Sequence, residues 1–148
     1  MNTHGRPVSQ RGSMLLEALI ALLLFSMGIL GLMGLQAIAL KNTADAKYRT
    51  EAALLANEII GQMWVSDRTT AVLQGNFNSP AGGDYNNWLA RVGGILPGAA
   101  ANPPNIAIDG QGLATVTVYW VAPNETTTPP LCSDGTAAHC YVAIAQIR

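Results

Sequence analysis

Residues 14–40 carry almost nothing but apolar side chains, whereas from residue 44 onward an apolar position recurs only every three or four. Within the first stretch the polar side chains are Glu17, Ser26 and Gln36, and only Glu17 is ionisable. At about 1.5 Å of rise per residue, a helix over this stretch is long enough to cross a bilayer. Ala44, Tyr48, Ala52, Leu55, Ile59 and Met63 then line one face of a continuing helix. Asp45, Lys47, Arg49, Glu51, Glu58 and Gln62 fill the rest of its surface. The pattern therefore predicts one helix from about residue 13 to about residue 65, ending before Ser66-Asp67.

Beyond it the signals are shorter. A glycine-rich stretch over 76–85 reads as variable loop, and Asn87-Trp88-Leu89-Ala90-Arg91-Val92 reads as a short helix stopped by Gly93-Gly94 and Pro97-Gly98. After a Pro/Asn loop at 102–105, strands are predicted at 107–109, 114–121 and 141–147, because β-branched and aromatic residues alternate there. Gly110-Gln111-Gly112 turns between the first two, and 122–136 is a long connection. A long helix whose second half packs on a small antiparallel sheet is an α+β architecture. Tyr48, Leu55, Ile59, Met63, Trp64, Trp88 and Trp120 are its expected core rather than a binding stripe.

The chain has 148 residues and a formal charge of −1, the length of one domain. Without Arg6 and Arg11, six of the eight basic residues remain against nine acidic ones. That balance offers no cationic footprint for nucleic acid. Lys41, Lys47 and Arg49 alternate with Asp45 and Glu51 as on a solvated helix face. No nucleophile–base pair, phosphate loop or paired carboxylates stand at useful spacing, so neither an enzyme nor a cofactor is expected. Cys132 and Cys140 read as a disulfide if this part is exported to an oxidising compartment. A metal set with His139 lacks a fourth ligand and matches no common zinc spacing.

Glu17 is the most informative residue. A charge at the centre of a bilayer helix costs about 2.5–3.5 kcal/mol on insertion scales, so one retained in such a helix marks a functional site. A secretory signal cut after Ala39, at Ala37-Ile38-Ala39, is a competing reading, as is an uncleaved signal anchor. Against the first stand an apolar core longer than the usual about 7–15 residues and a carboxylate where a signal peptide is basic. Gly28, Gly31 and Gly34 recur along roughly one helix face, where they permit close helix packing or simply reflect the glycine content of membrane helices.

The stretch Arg11-Gly12-Ser13-Met14-Leu15-Leu16-Glu17 resembles the class III leader of type IV prepilins and of the pseudopilins of type II secretion. Met27-Gly28-Ile29-Leu30-Gly31-Leu32-Met33-Gly34-Leu35-Gln36, Trp88, Leu96-Pro97-Gly98-Ala99 and Val116-Thr117-Val118-Tyr119-Trp120 look like PilV-type pilus modification proteins. The resemblance implies a pilin-like fold with a leader at 1–12, a membrane and filament-core helix at 13–40 and a periplasmic head at 41–148. It implies cleavage after Gly12 by the prepilin peptidase, N-methylation of Ser13, and Glu17 as the residue that pairs with a neighbouring subunit's amine. Ser13 departs from the Phe or Met usual in the family. In the family this helix often softens at a proline, which is missing here, leaving that role to Gly28, Gly31 and Gly34.

The implied role is a minor pilin that helps to initiate and assemble the type IV pilus of a Gram-negative bacterium, in a tip complex with other minor pilins, the major pilin and an adhesin. Such a pilus serves twitching motility, adhesion or DNA uptake. The same leader also fits a minor pseudopilin of type II secretion. A surface binding module using the Pro/Thr loop of 122–136 and a soluble periplasmic protein released after Ala39 are the remaining readings.

Overall fold

The structure, a computed structural model, describes residues 11–123, 125 and 132–147. Three helices precede three strands: α1 (Arg11–Val65), α2 (Thr70–Phe77), α3 (Gly83–Ile95), β1 (Asn105–Ile108), β2 (Leu113–Trp120) and β3 (His139–Gln146). The strands form one antiparallel sheet in the order β1-β2-β3. The α+β layout expected from the residue pattern is thus present. The chain divides into two compact units, Met1–Asn42 and Thr43–Arg148.

In the first unit α1 is built from Leu, Ala, Met and Ile, which are strong to moderate helix formers. Its large apolar side chains between Met14 and Leu40 are all exposed. Ser26 directs its hydroxyl back to the Leu22 carbonyl at 2.7 Å, so its polar group is satisfied within the helix. The helix is long and apolar enough to cross a membrane, and its apolar window has no buried part. It begins at Arg11, within one turn of the predicted start, a normal margin for a helix end.

In the second unit α1 buries Ala52, Leu55, Ala56, Ile59 and Met63, the stripe that a period of 3.6 demands. These side chains join Leu73 and Phe77 of α2, Tyr85, Trp88 and Val92 of α3, and Ile106, Ile108, Ala114, Val116, Val118 and Trp120 of the sheet in one core. Tyr48 packs against that core, half-buried. Trp64 does not join it and remains 46% exposed. It follows Met63, and one residue turns a helix by about 100° off the buried stripe.

The chain leaves α1 through Ser66, whose hydroxyl donates to the Met63 carbonyl at 2.9 Å. Asp67 accepts from the Thr69 amide at 2.9 Å and from its hydroxyl, and these bonds hold its carboxyl below the usual carboxylate range. The turn leads into α2, which the residue pattern did not predict. Leu73 and Phe77 are its only buried residues, too few for a periodic signature. The glycine-rich stretch of 76–85 is likewise not all loop, because α3 begins at Gly83 and continues through Gly93-Gly94 to Ile95. Burial of Tyr85, Trp88 and Val92 on one face outweighs the roughly 1 kcal/mol that each interior glycine costs. Trp88 also donates its indole N–H to the Leu55 carbonyl at 3.0 Å, and the Tyr85 hydroxyl donates to the Pro104 carbonyl at 2.8 Å.

Strand positions differ from expectation by one or two residues. β1 starts at Asn105, inside the predicted loop, because Asn105 pairs with Thr117 in the β1–β2 register. The β1–β2 turn passes through Gly112 at φ +79°, and a Cβ there would lie 2.6 Å from the Ile147 carbonyl oxygen. Only glycine suits both demands. Gly82 is constrained by space alone, since a Cβ there would meet the Asn76 carbonyl oxygen at 2.2 Å.

Candidate assembly site

Gly12, Ser13 and Glu17 lie in the first two turns of α1. Ser13 and Glu17 are one turn apart and share an open groove of about 400 Å³ with Leu16, Ile20, Ala21 and Leu24. The spacing of these six positions places them on one face of a helix. Glu17 is exposed, and it is the only ionisable side chain between Ser13 and Leu40. A carboxylate taken out of water among apolar side chains carries a desolvation cost that a paired cation offsets in part.

Gly28, Gly31 and Gly34 lie farther along α1, and none has an atom within 4 Å of where a Cβ would stand. They leave bare backbone on the helix surface, room for another helix to approach closely.

In the head, Cys132 and Cys140 form a disulfide, with Cα atoms 5.5 Å apart. The loop it closes folds against β2: Tyr119, Cys132 and Ala138 form a second small buried cluster with Val121 and Cys140. The Tyr119 hydroxyl donates to Asp134. Burial first, and then that bond, pushes the Tyr119 phenol up to about 12. The same bond holds the Asp134 carboxyl below its usual range.

His139 has a different place from the one a metal set would give it. Both cysteine sulfurs are spent on each other, and among the described residues no group of His, Cys, Asp and Glu is arranged to hold a metal. Its ring instead stacks on Trp120, centroids 5.6 Å apart. Nε2 lies 3.0 Å from Glu125 Oε2 and Nδ1 lies 3.9 Å from Asp45 Oδ1, so the imidazole stands between two carboxylates from different elements. The sequence reading missed this grouping, since Asp45, Glu125 and His139 come together only through the packing of α1 against the sheet end. Nothing in the residue pattern singled it out, because Asp45 reads as part of a solvated helix face.

On the outer surface of the head Lys47 pairs with Glu51 at 3.7 Å, and Arg91 of α3 with Glu58 of α1 at 2.6 Å. The solvated basic face thus interleaves with acids. Residues 1–10 of the expected leader at 1–12, and Asn124 and 126–131 of the Pro/Thr loop, lie outside the described residues.

Comparison with known proteins adds no relative: no family model, no curated protein and no solved structure matches the chain.

Proposed function

We propose that this chain is a minor pilin, a PilV-like subunit that helps to initiate and assemble a type IV pilus. Glu17 carries the reading: a lone carboxylate, one turn past Ser13 and behind Gly12, with no other ionisable side chain from Ser13 to Leu40. In this reading the prepilin peptidase cuts after Gly12 and methylates Ser13. The apolar helix holds the subunit in the inner membrane with its head in the periplasm, and the disulfide supports that compartment. During assembly Glu17 takes the N-terminal amine of a neighbouring subunit. The pairing offsets part of the cost of each charge in an apolar bundle and so sets the register of the two helices. The pilin-like division of labour follows: the helix stores and aligns, and the head selects other minor pilins, the major pilin or a tip adhesin. The role requires no bond-making by the chain, and no nucleic acid.

The intact mass of the chain recovered from membranes tests the reading. Cleavage after Gly12 with one added methyl is expected, and cleavage after Ala39 would sink it. Glu17→Ala is expected to be processed normally yet to enter the minor pilin complex poorly. Incorporation equal to wild type would remove Glu17 from the register role. Loss of pili on deletion, rather than loss of exoprotein secretion, distinguishes the pilus from the type II secretion system.

A further inference from the structure

Each ring nitrogen of His139 faces a carboxylate from a different part of the head. Nε2 lies 3.0 Å from Oε2 of Glu125, in the connection between β2 and β3, and Nδ1 lies 3.9 Å from Oδ1 of Asp45 on α1. The Ala122 amide donates to the same Glu125 oxygen at 3.4 Å and helps to hold it there. Asp45 Oδ1 is shut off from water and has no hydrogen-bond donor among the described residues. The imidazole lies on the face of Trp120, its plane only 16° from that of the indole. A neutral imidazole carries one N–H and presents a lone pair at its other nitrogen, whereas an imidazolium donates from both. The charged ring therefore matches both carboxylates and sets a cation on the indole face, while the neutral ring turns a lone pair toward one of the two anions. The other ionisable groups on these elements are Lys41 and Arg49, one turn to either side of Asp45 on α1, and the phenols of Tyr48 and Tyr141. Tyr119 and Asp134 are engaged with each other in the second cluster, and Asn124 and 126–131 of the connection bring no ionisable side chain. Of all these kinds of side chain, only imidazole ordinarily changes charge between about pH 5 and pH 8.

We propose that His139 is a pH-operated clasp: its protonation fastens the start of β3 and the β2–β3 connection to Asp45 of α1, and loss of the proton loosens that corner of the head. The sign follows from which form of the ring the two carboxylates accept. On the acid side of the window the imidazolium bonds Glu125 and attracts the buried oxygen of Asp45. On the alkaline side one of those anions loses its donor, and a carboxylate oxygen out of water without a donor is costly. The disulfide between Cys132 and Cys140 ties the connection to β3 at every pH. The clasp decides whether the two are also tied to α1. It goes beyond the minor pilin reading and depends on none of its leader chemistry.

The test is deuterium exchange of the full chain in detergent micelles at about pH 5.5 and about pH 8, each rate divided by the intrinsic rate at that pH. Protection over 139–142, where β3 begins, is expected to be at least about fivefold greater at the acid pH, the effect of one charge-assisted hydrogen bond gained. Protection within α3 is expected to be equal at the two. His139→Gln keeps a donor toward one carboxylate but takes up no proton, and is expected to bring the ratio at 139–142 to within about 1.5-fold. Asp45→Asn, at a side chain 48% exposed where the fold is retained, is expected to lower the ratio to within about twofold. Lys47→Gln, which removes the partner of Glu51 on α1, is expected to leave the ratio as in wild type. A thermal melt confirms that each variant is folded, and Asp45→Asn keeps the proposal refutable should His139→Gln not fold. Equal protection of wild type at both pH values, or greater protection at about pH 8, overturns the proposal. A ratio that survives His139→Gln overturns it by assigning the pH dependence to another group, and one that survives Asp45→Asn overturns the tie to α1. None of these outcomes alters where the leader is cut, so the clasp and the pilin reading fail separately.

Discussion

The two stretches of α1 have one secondary structure and opposite dependence on their surroundings. From Met14 to Leu40 the helix is apolar all round apart from Glu17, Ser26 and Gln36, and none of its large apolar side chains is buried, whereas beyond Thr43 it buries only the stripe Ala52, Leu55, Ala56, Ile59 and Met63. Periodicity is the difference. A helix that is apolar all round must be covered by something outside its own fold, and one with a single apolar face is covered by its own sheet. The first stretch therefore leaves its apolar surface uncovered among the described residues, and the second is part of the core of its own unit.

The strongest way to break this contrast is a matched pair of truncations. Trp88→Ala removes a buried indole and its bond to the Leu55 carbonyl, and is expected to cost the head about 3–5 kcal/mol in a thermal or denaturant melt. Leu30→Ala, at a position 71% exposed, is expected to leave the same melt within about 0.5 kcal/mol. Equal effects would mean that the two stretches are not independent. Next in size is the disulfide. Replacing both Cys132 and Cys140 by Ser reopens a loop with a sequence separation of 8. That is expected to cost about 2.5 kcal/mol by loop-closure entropy, read as a lower denaturant midpoint of the head with membrane retention unchanged.

The smallest effect is a pH dependence confined to the head. Tyr119 has its phenol pushed up to about 12, against an ordinary value of 10.0. A group raised on folding contributes stability that is whole below its unfolded value and is lost as pH rises through the folded one. The head should therefore weaken between about pH 10 and pH 12. Tyr119→Phe, expected to cost about 1 kcal/mol at neutral pH, should flatten that alkaline limb. A limb that persists in the variant would assign it to another group. Asp134, lowered by the same bond, contributes in the opposite direction: its stability is present above the usual carboxylate range and is lost as pH falls through it.

Periodicity and residue type were enough to place α1, the three strands, their turn at Gly112 and the cysteine pair, because each is decided by local chemistry. Glu17 was legible for the same reason, since one charge in an apolar helix stands out without any knowledge of the fold. What sequence could not decide depends on contacts between distant segments. α2 exists because Leu73 and Phe77 find the core, and α3 extends across its glycines because Trp88 reaches Leu55. Trp64 lies one residue off the buried stripe, and an aromatic side chain does not announce which side of a helix end it will occupy. His139 had one obvious reading beside Cys140, and only packing placed it against Trp120 between Asp45 and Glu125. The saturation of β1 was decided in the same way, since Ser79, Asn78 and Gln74 reach its outer edge only in the folded chain.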